Sequence, residues 1–206
     1  MVTAFAVEMA REFDNGTTIS RGGVFDYLGV ELNSVVCPGT MIVSMVKYRQ
    51  KIIEAFPEVL RRTKAYPATA TDNLSKVRED EDRELLSEEM AKQFHRTTAQ
   101  LLFICKRARP DVETVVSFLT TRVKQPDKDD WKKLKHDLMY LKGTLYMKRY
   151  LIADNLSNIV WWVDGSFGVH WDSRGHTGVM MSMGKSATVN ISRKHKLNTG
   201  ARLKRN

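Results

Sequence analysis

The chain is poor in cysteine and proline, and it has no long apolar run. Its 206 residues include two cysteines and five prolines. Cys37 and Cys105 have no Cys-x-x-Cys spacing, so the sequence indicates neither a disulfide framework nor a zinc site. No stretch approaches the roughly 18 consecutive apolar residues of a membrane helix. The N-terminal segment carries Glu8, Arg11 and Glu12 where a signal peptide would stay apolar. We therefore expect an intracellular protein, cytoplasmic or nuclear, with no membrane partner.

Positive charge exceeds negative charge, and the excess is uneven along the chain. There are 33 Lys and Arg against 24 Asp and Glu, which is a formal net charge of +9. Hydrophobic residues make up 42% of the chain, enough to form a core. Residues 193–206 contain six basic residues and no acid, whereas residues 78–89 contain seven acids and two arginines. A basic excess favours a polyanionic partner such as nucleic acid. Solvated charged faces and a basic tail explain the composition equally well.

The first part of the chain has helix and strand patterns in turn. Residues 4–13 have helical spacing, and alternating segments on both sides of the turn sequence "CPGT" predict a β-hairpin. Tyr48, Ile52 and Phe56 recur every four residues, which predicts a helix that ends at Pro57.

A connector and three helices are predicted next. Residues 57–85 lack periodicity and should form a connector, with Tyr66, Pro67 and Leu74 held against the body. Three apolar stripes at helical spacing follow, and a small helical bundle would bury them. Their predicted starts are the possible N-cap Ser87, the first-turn proline Pro110 and the possible N-cap Asp127.

After Gly143 the hydrophobic period changes from about 3.6 residues to 2, which predicts antiparallel strands. These strands begin with residues 145–154 and continue to residue 195, and the C-terminal quarter has no helix left to cover them. In the strand "NIVWWVDGS" one face carries Ile159, Trp161 and Val163, and the other carries Val160, Trp162, Asp164 and Ser166. Asp164 is thus a carboxylate at the end of an apolar strand.

The order of several motifs resembles the reverse transcriptase and ribonuclease H region of a copia-type LTR retrotransposon polyprotein. These motifs are "FDYLG", "KYRQKIIEAFPE", "FHRTTAQLLFICKRARPD", "SFLTTRVKQPDKDDWKKLKHDLMYLKGT", "WWVDGSFGVH", "RGHTGVMMSMGK" and "SRKHKLNT". They extend over nearly the whole chain. The resemblance implies an α+β fold with an incomplete reverse transcriptase palm hairpin, a helical thumb and connection bundle, and a truncated ribonuclease H-like sheet.

The resemblance also implies domain boundaries and a nucleic-acid partner. Residues 1–56 resemble the last part of the palm, 57–85 a connector, 86–149 the thumb and connection, and 150–199 the opening strands of ribonuclease H, while 200–206 form an unrelated basic tail. The implied partners are an RNA/DNA or DNA duplex and the remainder of the polyprotein. Residues expected to contact nucleic acid are Tyr27, Leu28 and Gly29 in the primer-gripping hairpin and Lys132, Lys133 and Lys135 on the third bundle helix. These lysines fit an ordinary solvated face equally well.

By the same resemblance, Asp164 is the first carboxylate of ribonuclease H and one ligand of an incomplete Mg²⁺ set. Two-metal hydrolysis needs several carboxylates, so Asp164 cannot act alone. The family's "Y-x-D-D" pair and its "S-S-T-E-A-E" helix are not in this sequence. The adjacent acids Asp129 and Asp130 are interpreted as helix-capping residues. We therefore expect neither polymerase nor nuclease activity and no functional Mg²⁺, although the intact parent enzyme would use this ion.

Two groups of side chains and two functions stay open as alternatives. His170 and His176 could form a metal pair, but we interpret them as polar turn residues. The tryptophans could stack on bases, although a core or interface role is favoured; they are Trp161, Trp162 and Trp171. We interpret the chain as an inactive fragment of a retrotransposon RNA-directed DNA polymerase and ribonuclease H. The alternatives are a residual, non-catalytic duplex-binding module and a piece of a complete enzyme whose other parts lie on neighbouring reading frames.

Overall fold

The chain folds into helices packed beside two small antiparallel sheets. A computed structural model describes residues 2–13, 22–78, 80–152 and 157–196. These residues contain six α-helices, one sheet of four strands and one of three strands, which confirms the predicted α+β class. None of the helices in these ranges has the length and apolarity needed to cross a membrane. The predicted tail at residues 200–206 lies outside the described residues.

The N-terminal part contains the hairpin predicted around "CPGT", and a further turn divides the segment before it, predicted as one stretch, into two strands. Helix α1 (Val2–Glu12) precedes strands β1 (Val24–Tyr27), β2 (Val30–Asn33) and β3 (Thr40–Ser44), which pair in chain order. Leu28 and Gly29 connect β1 to β2 with φ angles of 52° and 76°. Two left-handed residues form the turn whose twist matches that of an antiparallel pair, and glycine adopts this conformation without strain.

The fourth strand of this sheet follows the helical bundle in the chain. Strand β4 (Arg149–Ile152) pairs with β3, with Leu151 opposite Met41. The sequence prediction grouped this segment with the C-terminal strands and is wrong on this point. An alternating pattern specifies which face of a strand is apolar, but it does not specify the strand's partner.

The described residues of the predicted connector lie along the bundle. Helix α2 (Val46–Glu54) ends before Pro57 as predicted, and Pro57 begins the one-turn helix α3 (Pro57–Leu60). A 3₁₀ turn occupies Asp80–Asp82. Tyr66 and Leu74 pack against the hydrophobic core, which confirms that part of the prediction.

The bundle consists of α4 (Glu88–Cys105), α5 (Glu113–Thr120) and α6 (Lys128–Gly143). The Ser87 hydroxyl accepts a hydrogen bond from the Met90 N–H, so the predicted N-cap of α4 is confirmed. Pro110 begins a 3₁₀ turn, Pro110–Val112, rather than the α-helix itself. The predicted stripes are buried, and the side chains that are 0% exposed include Phe94, Leu101, Val112, Val116, Leu119, Leu134 and Leu138.

The C-terminal sheet packs on the bundle. Its strands β5 (Ile159–Ser166), β6 (His176–Met183) and β7 (Ser186–Lys194) pair in chain order, and β7 contacts α5. The prediction that no helix would cover this sheet is therefore wrong for β7. The covering helix, α5, precedes the strands in the chain rather than following them. Strand β5, at the opposite edge, is exposed along its whole length.

Candidate nucleic-acid interface

Asp164 lies in an open groove between the C-terminal sheet and the start of α5. It pairs with Gly178 of β6, which pairs with Ser192 of β7. Residues directly opposite each other project from the same face of a sheet, so the Asp164 and Ser192 side chains share a face. The Ser192 hydroxyl donates to the Thr114 hydroxyl at 3.2 Å, which identifies this face as the one toward α5. The groove has a volume of about 640 Å³.

Glu113 is a second carboxylate that lines this groove, and no sequence motif indicated it. One of its oxygens accepts hydrogen bonds from the Lys106 ammonium and from the Ser192 N–H, and the other is buried without a partner among the described residues. Ser192 and Asp164 are two strand spacings apart, about 10 Å. Two ligand oxygens of one Mg²⁺ are at most about 4 Å apart. Glu113, held at Ser192, therefore does not complete a single-ion site with Asp164.

The described residues contain no group of three or more His, Cys, Asp or Glu side chains placed to hold a metal ion. Of the adjacent acids of α6, Asp130 is a capping residue as predicted: Asp127 accepts from the Asp129 and Asp130 N–H groups, and Asp130 accepts from the Asp127 N–H. The Asp129 carboxylate pairs with Arg78 and Lys132 instead. Hydrogen bonds from Arg78 and Lys132 lower the pKa of Asp129 to about 2. Asp130 is buried against Arg122, with 3.0 Å between carboxylate and guanidinium.

His170 is buried, contrary to its interpretation as a polar turn residue. Only 6% of it is exposed, and its ring is stacked parallel to Phe118 of α5. Its Nε2 lies 3.0 Å from Nδ1 of His176, whose Nε2 lies 2.7 Å from the Ser192 hydroxyl. The two imidazoles thus link the turn after β5 to β7 and α5. No local pattern distinguishes a buried turn histidine from an exposed one.

Acid should weaken the link that His170 and His176 form between the turn after β5 and the elements β7 and α5. Burial, with repulsion from Lys194 and His176, lowers the pKa of His170 from 6.5 to about 4. The unfolded chain then takes up a proton near pH 6.5 and the folded chain only near pH 4, so stability is full above pH 6.5 and falls as the pH drops. The expected loss by pH 4 is about 3 kcal/mol. Urea unfolding of the wild type and of His170→Gln at pH 7 and pH 4 measures it.

The matched control for that experiment is His95→Gln, because His95 is exposed on α4. The pH 7 to pH 4 loss should shrink by about 3 kcal/mol in His170→Gln and stay unchanged in His95→Gln. Equal losses in both variants would contradict the assignment of His170. The pKa of His176 is also lowered, first by burial, so some acid sensitivity should remain in His170→Gln.

The three lysines predicted to contact a duplex all have partners within the chain. Lys132 pairs with Asp129 and Lys135 with Glu58, each at 2.8 Å. Lys133 lies 4.4 Å over the Phe118 ring, and burial lowers its pKa. Nucleic acid would have to compete with these contacts, so α6 does not present a free basic stripe.

The hairpin tip is much more accessible. Tyr27 and Leu28 are 69% and 66% exposed, on a turn whose second strand, β2, is anchored in the core through Val30. A rigid turn with two exposed apolar side chains can contact the sugar and base surfaces of a bound strand. The placement is compatible with the predicted role of Tyr27, Leu28 and Gly29, which stays a prediction.

The three tryptophans of the C-terminal part lie on the surface. Trp161, Trp162 and Trp171 are 56%, 48% and 60% exposed, so of the core or interface role favoured from the sequence the core part is wrong, and the interface part stays a prediction. Trp161 and Trp162 project from opposite faces of β5, and Trp162 shares its face with Asp164. The Lys194 ammonium lies 5.0 Å from the Trp171 ring centroid.

Comparison of the chain with models of protein families, with curated proteins and with solved structures finds no match. The resemblance to copia-type retrotransposons therefore rests on the sequence motifs.

Proposed function

We propose that the chain is part of a copia-type reverse transcriptase and ribonuclease H, and that it binds duplex nucleic acid without cleaving it. The observation that carries the proposal is the exposed strand β5, on which Trp162 lies on the same face as Asp164 beside the open groove and Trp161 projects from the other face. Half-exposed aromatic rings on a chain of net charge +9 are suited to contact bases and sugars beside a phosphate backbone.

Binding without cleavage is the part of the proposal that concerns chemistry. Asp164 is the ribonuclease H carboxylate that the motif "WWVDGS" supplies, and Glu113 in the same groove is engaged by Lys106 and Ser192. Two-metal hydrolysis needs carboxylates that bridge or flank ions about 4 Å apart. These two acids do not provide that arrangement, so the residual function is recognition of the duplex.

The test is binding of an RNA/DNA hybrid duplex across a salt series, with magnesium-dependent cleavage followed in the same samples. We expect binding whose affinity falls steeply with salt, because phosphate contacts release counterions, and no cleavage. Cleavage that is abolished by Asp164→Asn would overturn the claim of inactivity. No binding at low salt would overturn the proposal as a whole.

Trp162→Ala should weaken hybrid binding about tenfold, since stacking or packing of one base or sugar on an aromatic ring contributes about 1–3 kcal/mol. The matched control is Tyr146→Ala, which removes an aromatic side chain that is 77% exposed in the link between α6 and β4. Fluorescence anisotropy with a labelled hybrid measures both. If both variants bind like the wild type, β5 is not the contact surface.

A further inference from the structure

A second pocket lies between the connector and α6, away from the C-terminal sheet. It has a volume of about 440 Å³, which is in the range of small-molecule sites. Val59 and Met139 line it with apolar side chains that are almost completely buried. Tyr66 and His136 form an aromatic wall, with ring centroids 4.4 Å apart in a stacked arrangement. The pocket therefore has an apolar base and an aromatic side.

Hydrogen bonds from side chains of α6 to backbone carbonyl oxygens of the connector hold this pocket in shape. The Lys142 ammonium donates to the carbonyl oxygens of Val59, Leu60 and Arg62 at 3.0, 2.8 and 2.7 Å. Nε2 of His136 lies 3.1 Å from the Ala68 carbonyl oxygen. The connector is thus fixed to α6 on both sides of Tyr66, before it at residues 59–62 and after it at Ala68. A preformed pocket loses little conformational entropy when a ligand binds.

The charged residues of the pocket carry an excess of positive charge. Its lining includes Arg62, Lys132 and Lys135 against the single carboxylate Glu58. Glu58 is paired with Lys135, and Lys132 is paired with Asp129 outside the pocket. The Arg62 guanidinium makes one hydrogen bond to a described residue, a long one of 3.4 Å to the Tyr66 hydroxyl. Arg62 thus retains most of its donors for a ligand.

We propose that this pocket binds a single nucleotide through its phosphate. The Arg62 guanidinium presents paired N–H donors that match the oxygens of a phosphate, whereas Lys132 and Lys135 stay paired with Asp129 and Glu58. The Tyr66 and His136 rings offer a surface on which a base can stack over the apolar base of the pocket. The ligand is either a free nucleoside monophosphate or the phosphorylated end of a strand, since both have the same chemistry.

Calorimetric titration of the whole chain with dAMP, deoxyadenosine, inorganic phosphate and a 5′-phosphorylated single-stranded decamer tests the proposal. We expect dAMP or the decamer to bind more tightly than inorganic phosphate, and deoxyadenosine to bind least. Binding of dAMP identifies a free nucleotide as sufficient, whereas binding of the phosphorylated decamer alone identifies a strand end. If neither binds more tightly than inorganic phosphate, the proposal is wrong.

Arg62→Ala should raise the Kd for the bound nucleotide about tenfold or more, because it removes charge-assisted hydrogen bonds. The matched control is Arg61→Ala, since Arg61 is an exposed neighbour that does not line the pocket. Arg62→Lys keeps the charge without the paired donors and should recover part of the affinity. Equal effects of Arg61→Ala and Arg62→Ala would overturn the assignment of this pocket.

The proposed nucleotide pocket and the proposed duplex surface can be tested independently of each other. Trp162→Ala should leave the Kd for dAMP unchanged, because Trp162 lies on the C-terminal sheet and does not line this pocket. Thermal unfolding of each variant establishes that it is folded before its binding is compared.

Discussion

Arg109→Ala should lower the free energy of unfolding by about 3–5 kcal/mol, because it removes the charge-assisted hydrogen bonds of a buried guanidinium and leaves a cavity where that side chain was. The Arg109 side chain is 1% exposed and donates to both carboxylate oxygens of Asp111, at 2.9 Å from Nε and 2.7 Å from Nη2. It also donates to the carbonyl and hydroxyl oxygens of Thr144. The Tyr140 hydroxyl donates to Asp111 at 2.8 Å. The network joins the turn before α5 to the end of α6.

Chemical denaturation of Arg109→Ala beside Arg107→Ala measures this effect. Arg107 lies on the same turn, but it is exposed, and its guanidinium covers the Phe103 ring at 3.7 Å. Loss of an exposed cation–π contact should cost about 0.5–1 kcal/mol. Similar losses in the two variants would show that the Arg109 network does not stabilise the fold.

Arg49→Met should have the opposite effect and raise the free energy of unfolding by about 3 kcal/mol at pH 7. Arg49 is 1% exposed on α2, and none of its three guanidinium nitrogens has a hydrogen-bond partner among the described residues. Burial, followed by repulsion from Arg109, lowers its pKa from 12.5 to about 10. Methionine keeps the unbranched apolar stem and removes the charge that is costly to bury.

The control for this variant is Lys51→Met, an exposed position on the same helix. Lys51→Met should change the free energy of unfolding by no more than about 0.5 kcal/mol. If Arg49→Met destabilises the protein, the Arg49 guanidinium has a stabilising partner. Because Arg109 repels Arg49, the double variant should differ from the sum of the single effects.

Local features could be predicted from the sequence because their physical causes lie within a few residues. Ser87 and Asp127 were identified as caps because a side chain of that type can reach the free N–H groups of the next turn. The stripe that contains Leu134 and Leu138 identified the buried face of α6 by its period alone. Pro57 marked the end of α2, since proline cannot continue a helix from the residue before it.

The candidate sites were predictable only in part. Asp164 was singled out by its place at the end of an apolar strand, and the strand alternation put it on the face of Trp162. Whether the tryptophans on that strand are buried could not be predicted, because exposure depends on what packs against the strand. The pocket of Arg62 and Tyr66 has no signature in the sequence, since it forms only where the connector lies on α6.

The sequence by itself determined the α+β class, the helix caps at Ser87 and Asp127, the hairpin around residues 37–40 and the alternation of the strands. Only the tertiary structure decided that β4 pairs with β3, that α5 packs on β7, that His170 is buried and that Lys133 lies under the connector. The physical reason is the distance along the chain between the residues that determine each feature. Caps, turns and periodicity depend on neighbours within about one or two turns of the chain, whereas strand partners and burial depend on segments far apart in sequence.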